Sequence, residues 1–317
     1  MVYKKIFGED HADVATSYND LAKVYNSLGE YSHAKELHEK ALMVYKKSFG
    51  EDHADSATSY NNLALVYNRL GEYSQAKELH EKALTIRKKI FGVDHAKVAT
   101  SYNKLASVYN HLEEYDQARE LHEKALMIRK KMLGEDHADV ATSYNDLAKV
   151  YNSLGEYNQA KELHEKALTI RRKIFGESHG DVAASYNDLA IVYNTLEKYS
   201  QAKELHEKAL IIYKNIFGED HADVATSYND LALVYDRLGE YNQAKEHHQK
   251  AVIIYKKTFG DEDHAEVAIC YNNLAVVYLR LGEYNQAKEL HEKALIIYKK
   301  VFGEDHAAVA TSITTWH

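Results

Sequence analysis

The chain has no proline, one tryptophan, one cysteine (Cys270) and 14 glycines in 317 residues. Without proline, and with glycine so sparse, no stretch reads as a polyproline or flexible linker. A lone cysteine cannot form an internal disulfide, so a reducing, intracellular setting is expected. No apolar run approaches the roughly 20 residues that a membrane-spanning helix needs, and "MVYKKIFGED" lacks the apolar segment of a signal peptide. A cytoplasmic protein with no membrane partner is therefore expected. Positive charge is not in excess either: 40 Lys and Arg stand against 48 Asp and Glu, a net charge of −8. That balance is poor for gripping a phosphate backbone, so nucleic acid is not an expected partner.

What the chain does have is repetition. "SYNDLAKVYNSLGEY" at 17–31 returns as "SYNNLALVYNRLGEY" at 59–73, and five more times with edits. The Tyr-Asn pairs begin at Tyr18, Tyr60, Tyr102, Tyr144, Tyr186, Tyr228 and Tyr271, a step of 42 residues. The last step is 43, because "FGDEDHA" (259–265) has one residue more than "FGEDHA" elsewhere, read as a loop insertion. A fixed period of this size means a solenoid or a propeller.

The apolar spacing decides between them. In the first unit Val14, Tyr18, Leu21, Ala22, Tyr25 and Leu28 form one stripe at helical spacing. A second stripe runs Ala34, Leu37, His38, Ala41, Leu42 and Tyr45. Gly29 and Gly50 are placed to stop the two helices, with Phe49 supplying the apolar contact at the second stop. Glu36 and Lys40 stand four apart on the outer face in the favourable order. Each unit is thus two antiparallel helices of about 17 residues, ~25 Å long. "EDHAD" precedes most first helices, with Asp52 or His53 as the N-cap and Asp55 opposing the helix dipole. A lone hairpin would leave its stripe in water, and stacking the next copy against it buries that stripe. Ala22, Ala34 and Ala41 let the helices approach. Tyr18, Tyr25 and Tyr31 fill the space between, and their hydroxyls call for partners that fix the register.

Tyr18, Leu21, Ala22, Tyr25, Gly29, Tyr31, Ala34 and Ala41 together resemble the tetratricopeptide repeat. The 42-residue step, "LA.VY", "A..L...AL.I" and "G.DHADVA" more narrowly resemble the long-repeat class of kinesin light chain and nephrocystin-type proteins. The resemblance implies an all-α fold, a right-handed superhelical solenoid of antiparallel helix pairs, as a single domain over 1–317. Seven full repeats span about 11–301, with partial repeats at 1–8 and 306–317. Neither end has a polar capping helix, so end-to-end self-association, or a longer array of which this is a fragment, is expected. Departures from the family pattern are His38 and its copies in a slot that is often aromatic, and Ala12 or Ala54 where a proline often follows the loop histidine. Glu113 and Glu197 replace the hairpin glycine, costing about 1 kcal/mol if the site needs positive φ. The coiled coil of a kinesin light chain is missing and no G-x-x-x-x-G-K-[ST] occurs, so neither motor attachment nor a nucleotide switch is supported.

Comparing the copies locates the variation. The slot of Asp20 reads Asp, Asn, Lys, Asp, Asp, Asp, Asn; that of Lys23 reads Lys, Leu, Ser, Lys, Ile, Leu, Val; that of Ser27 reads Ser, Arg, His, Ser, Thr, Arg, Arg. These lie on the first helix, opposite the stripe, on the face that the resemblance implies lines a concave groove for extended peptides. Across it Asn19, Asn61, Asn103, Asn145, Asn187, Asn229 and Asn272 never change. Asn26, Asn68, Asn110, Asn152 and Asn194 make a second row, followed by Asp236 and Leu279. An amide offers both donor and acceptor, suited to the backbone of an extended peptide; the alternative is that Asn19 and its copies solvate the face or bridge adjacent repeats. Lys23, Arg69, Lys104, Lys149, Arg237 and Arg280 suit an acidic ligand, or are ordinary surface charges.

No catalytic, metal or cofactor site is expected. The acidic groups of "EDHAD" serve as caps, and one short loop seldom supplies convergent metal ligands. His38 and its copies fit a packed role with one ring nitrogen bonded. Cys270 has no activating neighbours in sequence, and Ser-His-Asp combinations are everywhere because the repeats make them so. The acidic balance, the long step and Leu65, Ile191, Leu233 and Val276 in the variable slot argue against RNA reading. The expectation is a non-enzymatic scaffold binding an extended peptide of a protein partner. The alternatives are a structural spacer or a fragment of a cargo adaptor like kinesin light chain.

Overall fold

The computed structural model describes Gly8 and residues 11–260 and 264–303. The terminal partial repeats, on which the self-association expectation rests, and residues 261–263, which carry the one-residue insertion, fall largely outside these residues. Among the described residues there are fourteen helices and no strand. First helices of the seven repeats are α1 (Ala12–Ser27), α3 (Ala54–Arg69), α5 (Ala96–His111), α7 (Ala138–Ser153), α9 (Gly180–Thr195), α11 (Ala222–Arg237) and α13 (Ala265–Arg280). Second helices are α2 (Tyr31–Phe49), α4 (Tyr73–Phe91), α6 (Tyr115–Leu133), α8 (Tyr157–Phe175), α10 (Tyr199–Phe217), α12 (Tyr241–Phe259) and α14 (Tyr284–Phe302). First helices have 16 residues and second helices 19. The chain groups into two compact units, Met1–Leu163 and His164–His317, with the boundary inside α8. Within each unit consecutive helices pack on one another in chain order.

Local chemistry sets both ends of the helices. The imidazole of each loop histidine caps the helix that follows: Nδ1 of His53, for example, accepts the Asp55 backbone N–H at 3.3 Å, and His137 accepts that of Asp139 at 3.1 Å. Of the two cap candidates, histidine fills the role. The ring also stacks on the phenylalanine that ends the preceding helix, as Phe175 does on His179 at 4.4 Å. First helices close on a left-handed residue: the Glu30 N–H reaches Tyr25 O at 2.9 Å across Gly29, whose φ is 77°. Glu113 and Glu197 occupy that slot at φ 60° and 59°, in the region that strains any residue with a Cβ.

The core is shared between hairpins. In the first unit Leu84 of α4 packs with Val98, Ala99 and Tyr102 of α5 and with Ala125 and Ile128 of α6. In the second, Leu168 of α8 meets Val182, Ala183 and Tyr186 of α9 and Ile212 of α10. Leu21 of the first described repeat is 46% exposed, against 4% for its copy Leu63. Register is fixed by polar contacts between neighbours. The Tyr67 hydroxyl donates to Glu39 of the preceding repeat at 3.4 Å, while Lys35 lies 4.4 Å from the Tyr67 ring. Tyr109–Glu81 and Lys77 repeat this in the first unit, and Tyr235–Glu207 and Lys203 in the second. The near-constant "AKELHEK" run supplies these lysines and glutamates, so its invariance has a packing reason.

Candidate binding face

The first asparagine row is the part of the expected face that the structure turns inward. Asn19, Asn61 and Asn145 are 7%, 1% and 5% exposed. Asn19 Oδ1 lies 2.7 Å from His38 Nδ1, and its Nδ2 donates to Ser59 of the next repeat at 3.3 Å. Asn103 pairs with His122 at 3.1 Å and donates to Asp146 at 3.3 Å. Asn187 and Asn272 pair with His206 and His291 at 2.9 and 3.0 Å. Sequence reasoning gave this row either to a ligand backbone or to solvation of the face and bridging of adjacent repeats. In the structure the amides of Asn19 and Asn103 join the histidine of their own repeat to the next first helix. At Asn61 the amide orientation that satisfies both its ends has Nδ2 donating to His80 Nδ1 at 2.6 Å and Oδ1 accepting from Arg87 at 3.0 Å.

Burial holds these histidines neutral. His38, His122 and His206 are pushed down to about 4 and His80 to about 3, in each case chiefly by desolvation. Lys104 and Arg87 add to the effect at His80. His248, also lowered to about 3, has neither ring nitrogen hydrogen-bonded. Cys270 is buried and its thiol is pushed up to about 12 by desolvation, so it stays protonated. The loop histidines are committed to capping, and no cluster of three or more metal-ligating side chains occurs among the described residues.

Asn26, Asn68, Asn110, Asn152 and Asn194 are half-buried, and the Oδ1 of each is enclosed without a hydrogen-bond partner. Asp236 continues that row with one enclosed oxygen. Solvent-facing positions are the variable ones. Lys23, Leu65, Ser107, Lys149, Ile191 and Leu233 are exposed, as are Ser27, Arg69, His111, Ser153, Thr195, Arg237 and Arg280. Lys104 and Asn272 are half-buried, as is Asn229, which bonds Asn273 of the next repeat.

In the second unit these slots enclose a cavity of about 280 Å³. Leu233, Val276 and Val277 form an apolar wall, Arg237 and Arg280 bring positive charge, and Asn194, Asp236 and Asn273 bring hydrogen-bonding groups. His248 lies behind them. An apolar wall with a few directed polar groups is the usual make-up of a recognition pocket, and this one has room for one large side chain. Sequence reasoning missed Arg87, Arg129 and Arg171, which bridge repeats by donating to Ser101, Ser143 and Ser185 at 2.9, 2.6 and 2.6 Å. Their signal was present: that slot reads Tyr, Arg, Arg, Arg, Tyr, Tyr, Tyr.

Comparison with known proteins decides the family. The tetratricopeptide-repeat model matches residues 2–47, 34–89, 97–173, 139–214 and 181–257, and a second model of the same repeat matches 267–308. The chain belongs to the tetratricopeptide-repeat family. Among solved structures, this repeat protein is similar to a putative kinesin light chain with nearly identical TPR-like repeats from Podosopora anserina. The identity is 28% and the TM-score 0.58, over 65% of this chain and 98% of that one. BtubC (BKLC) from P. vanneervenii matches at 24% identity and TM-score 0.60, over 74% and 91% of the two chains, and the apo form of RapI at 18% and 0.66, over 90% and 98%. These last two show the shared fold. No curated protein sequence matches the chain. The tetratricopeptide-repeat fold is typical of protein–protein interaction scaffolds, and no helix among the described residues is long and apolar enough to cross a membrane.

Proposed function

We propose that this tetratricopeptide-repeat protein is a non-enzymatic, cytoplasmic scaffold that holds an extended peptide segment of a protein partner on the exposed face of its first helices. The observation that carries this reading is the cavity formed by Leu233, Val276, Arg237 and Arg280, side chains from the slots that vary between copies. The slots of Leu233, Arg237, Val276 and Arg280 in the cavity differ from repeat to repeat, whereas the alanines of the core stripes do not. The apolar wall would take a large hydrophobic side chain, and the arginines an acidic neighbour. The Asn26 row lies alongside, and the Asn19 row supports the wall from within. Such a face binds by pockets and main-chain contacts rather than by one deep site.

The test is selection of random peptides displayed on phage against the immobilised full chain. Peptides pairing a large apolar residue with Asp or Glu should be enriched, and their affinity should fall at least tenfold on Arg237→Glu/Arg280→Glu. Equal capture by wild type and the double variant would overturn the reading. Asn61→Ala and Asn145→Ala should instead act first on stability, since both amides are buried.

A further inference from the structure

The boundary between the second and third repeats differs in charge from the boundaries that follow. Arg129 reaches across to Ser143 and faces the carboxylates of Asp139 and Asp146 on α7. Arg171 reaches Ser185 on α9, where the same two slots hold Asp181 and Asp188. Arg87 makes the equivalent reach to Ser101, but on α5 both slots are lysine, Lys97 and Lys104. Lys97 turns aside, with Nζ 4.6 Å from the Phe91 ring centre. Lys104 lies one helical turn beyond Ser101 on the same face, so it comes up beside Arg87.

The bonds that Arg87 makes are all to neutral groups: Ser101 Oγ at 2.9 Å, Lys97 O at 3.2 Å and Asn61 Oδ1 at 3.0 Å. Lys104 makes no ion pair with any described residue, and burial together with the Arg87 charge lowers its pKa. Arg87 is lowered by burial alone, with no carboxylate opposing it. Two half-buried cations side by side without an anion are an uncompensated cost in the unliganded protein. A group that brought negative charge between them would relieve it.

We propose that Arg87 and Lys104 form an anion subsite that receives a carboxylate or phosphate group, the guanidinium donating a pair of hydrogen bonds and the ammonium a third. This rests on the reading of the chain as a peptide-binding scaffold for the source of the anion: an acidic or phosphorylated side chain of a protein partner. The subsite itself is testable without any peptide.

The experiment is thermal unfolding of the full chain at matched ionic strength in chloride, acetate and phosphate. At about 100 mM anion the wild type should gain roughly 2–4 °C over chloride. A gain in acetate as well assigns the subsite to carboxylates, and a gain in phosphate alone assigns it to phosphorylated side chains. Lys104→Asp supplies the carboxylate that faces the arginine at the next boundary, so it should unfold at a higher temperature than wild type in chloride and lose the anion response. Arg87→Tyr, the residue that four other repeats carry in this slot, should lose the response too. Asp146→Lys should create a second responsive boundary. An identical response from wild type and Lys104→Asp, or none from wild type in either anion, would overturn the proposal. Neither result bears on peptide capture by the Arg237/Arg280 pocket, so the two readings fail separately.

Discussion

Repeats 5 and 6 carry the same asparagine and histidine in the same slots, yet only repeat 5 bonds them. His206 Nδ1 lies 2.9 Å from Asn187 Oδ1. In repeat 6 Asn229 Oδ1 instead accepts from Asn273 Nδ2 at 3.1 Å and Cys270 Sγ at 3.5 Å, and His248 is left fully buried with both ring nitrogens unpartnered. The difference lies in the following repeat. The one after repeat 5 has Ser227 and Asp230 where the last repeat has Cys270 and Asn273. After repeat 1 the same slot holds Asn62, yet Asn19 still bonds His38 and donates to Ser59, so what sets repeat 6 apart is Cys270 in place of that serine, beside an asparagine that donates to Asn229. In a repeat array a residue's environment is set as much by the next copy as by its own.

The largest expected effect comes from breaking that pair where it exists. His206→Leu strips Asn187 of its partner in the wall and should lower stability by about 1–3 kcal/mol. His248→Leu removes an imidazole that nothing satisfies and should be neutral or stabilising, so urea midpoints of the two variants should move apart. Equal losses would show that His248 is held as well as His206. A second effect comes from pH. These histidines have folded pKa values below the ordinary 6.5, near 4 or 3, so the unfolded chain binds more protons. Their contribution to stability is complete above about pH 6.5 and is lost as pH falls toward 4. His248→Leu should flatten that acid slope, which pH-dependent urea unfolding measures directly. The smallest effect concerns hairpin strain. Glu113→Gly and Glu197→Gly should each stabilise by about 1 kcal/mol, read as a raised urea midpoint, and Gly155→Glu should cost as much.

Architecture was legible because periodicity, the glycine after each second helix and the cap histidine agree in all seven copies, and the hairpin glycine in five. Helix spacing placed Ala22, Ala41 and Val14 in the core, where they are. Variation placed Lys23, Ser27 and their copies at the surface, and most lie there. The fate of Asn19 and its copies was not legible. An invariant amide on a first helix suits a ligand backbone and a buried imidazole equally well, and only three-dimensional pairing with His38 separates the two. The Arg87–Lys104 conflict was hidden for a related reason, since it joins residues 17 positions apart on different helices. The cavity at Leu233 and Val276 was foreshadowed by apolar residues in an exposed slot, but its enclosure depends on how neighbouring first helices pack.

The central claim, that variable first-helix side chains of the second unit hold a peptide while the Asn19 row only supports them, is tested most directly by hydrogen–deuterium exchange. The full chain would be compared with and without a phage-selected peptide. The account predicts slowed exchange within residues 222–237 and 265–280, with the outer turns of residues 241–259 unchanged. Slowing confined to the second helices, or none at saturating peptide, would contradict it.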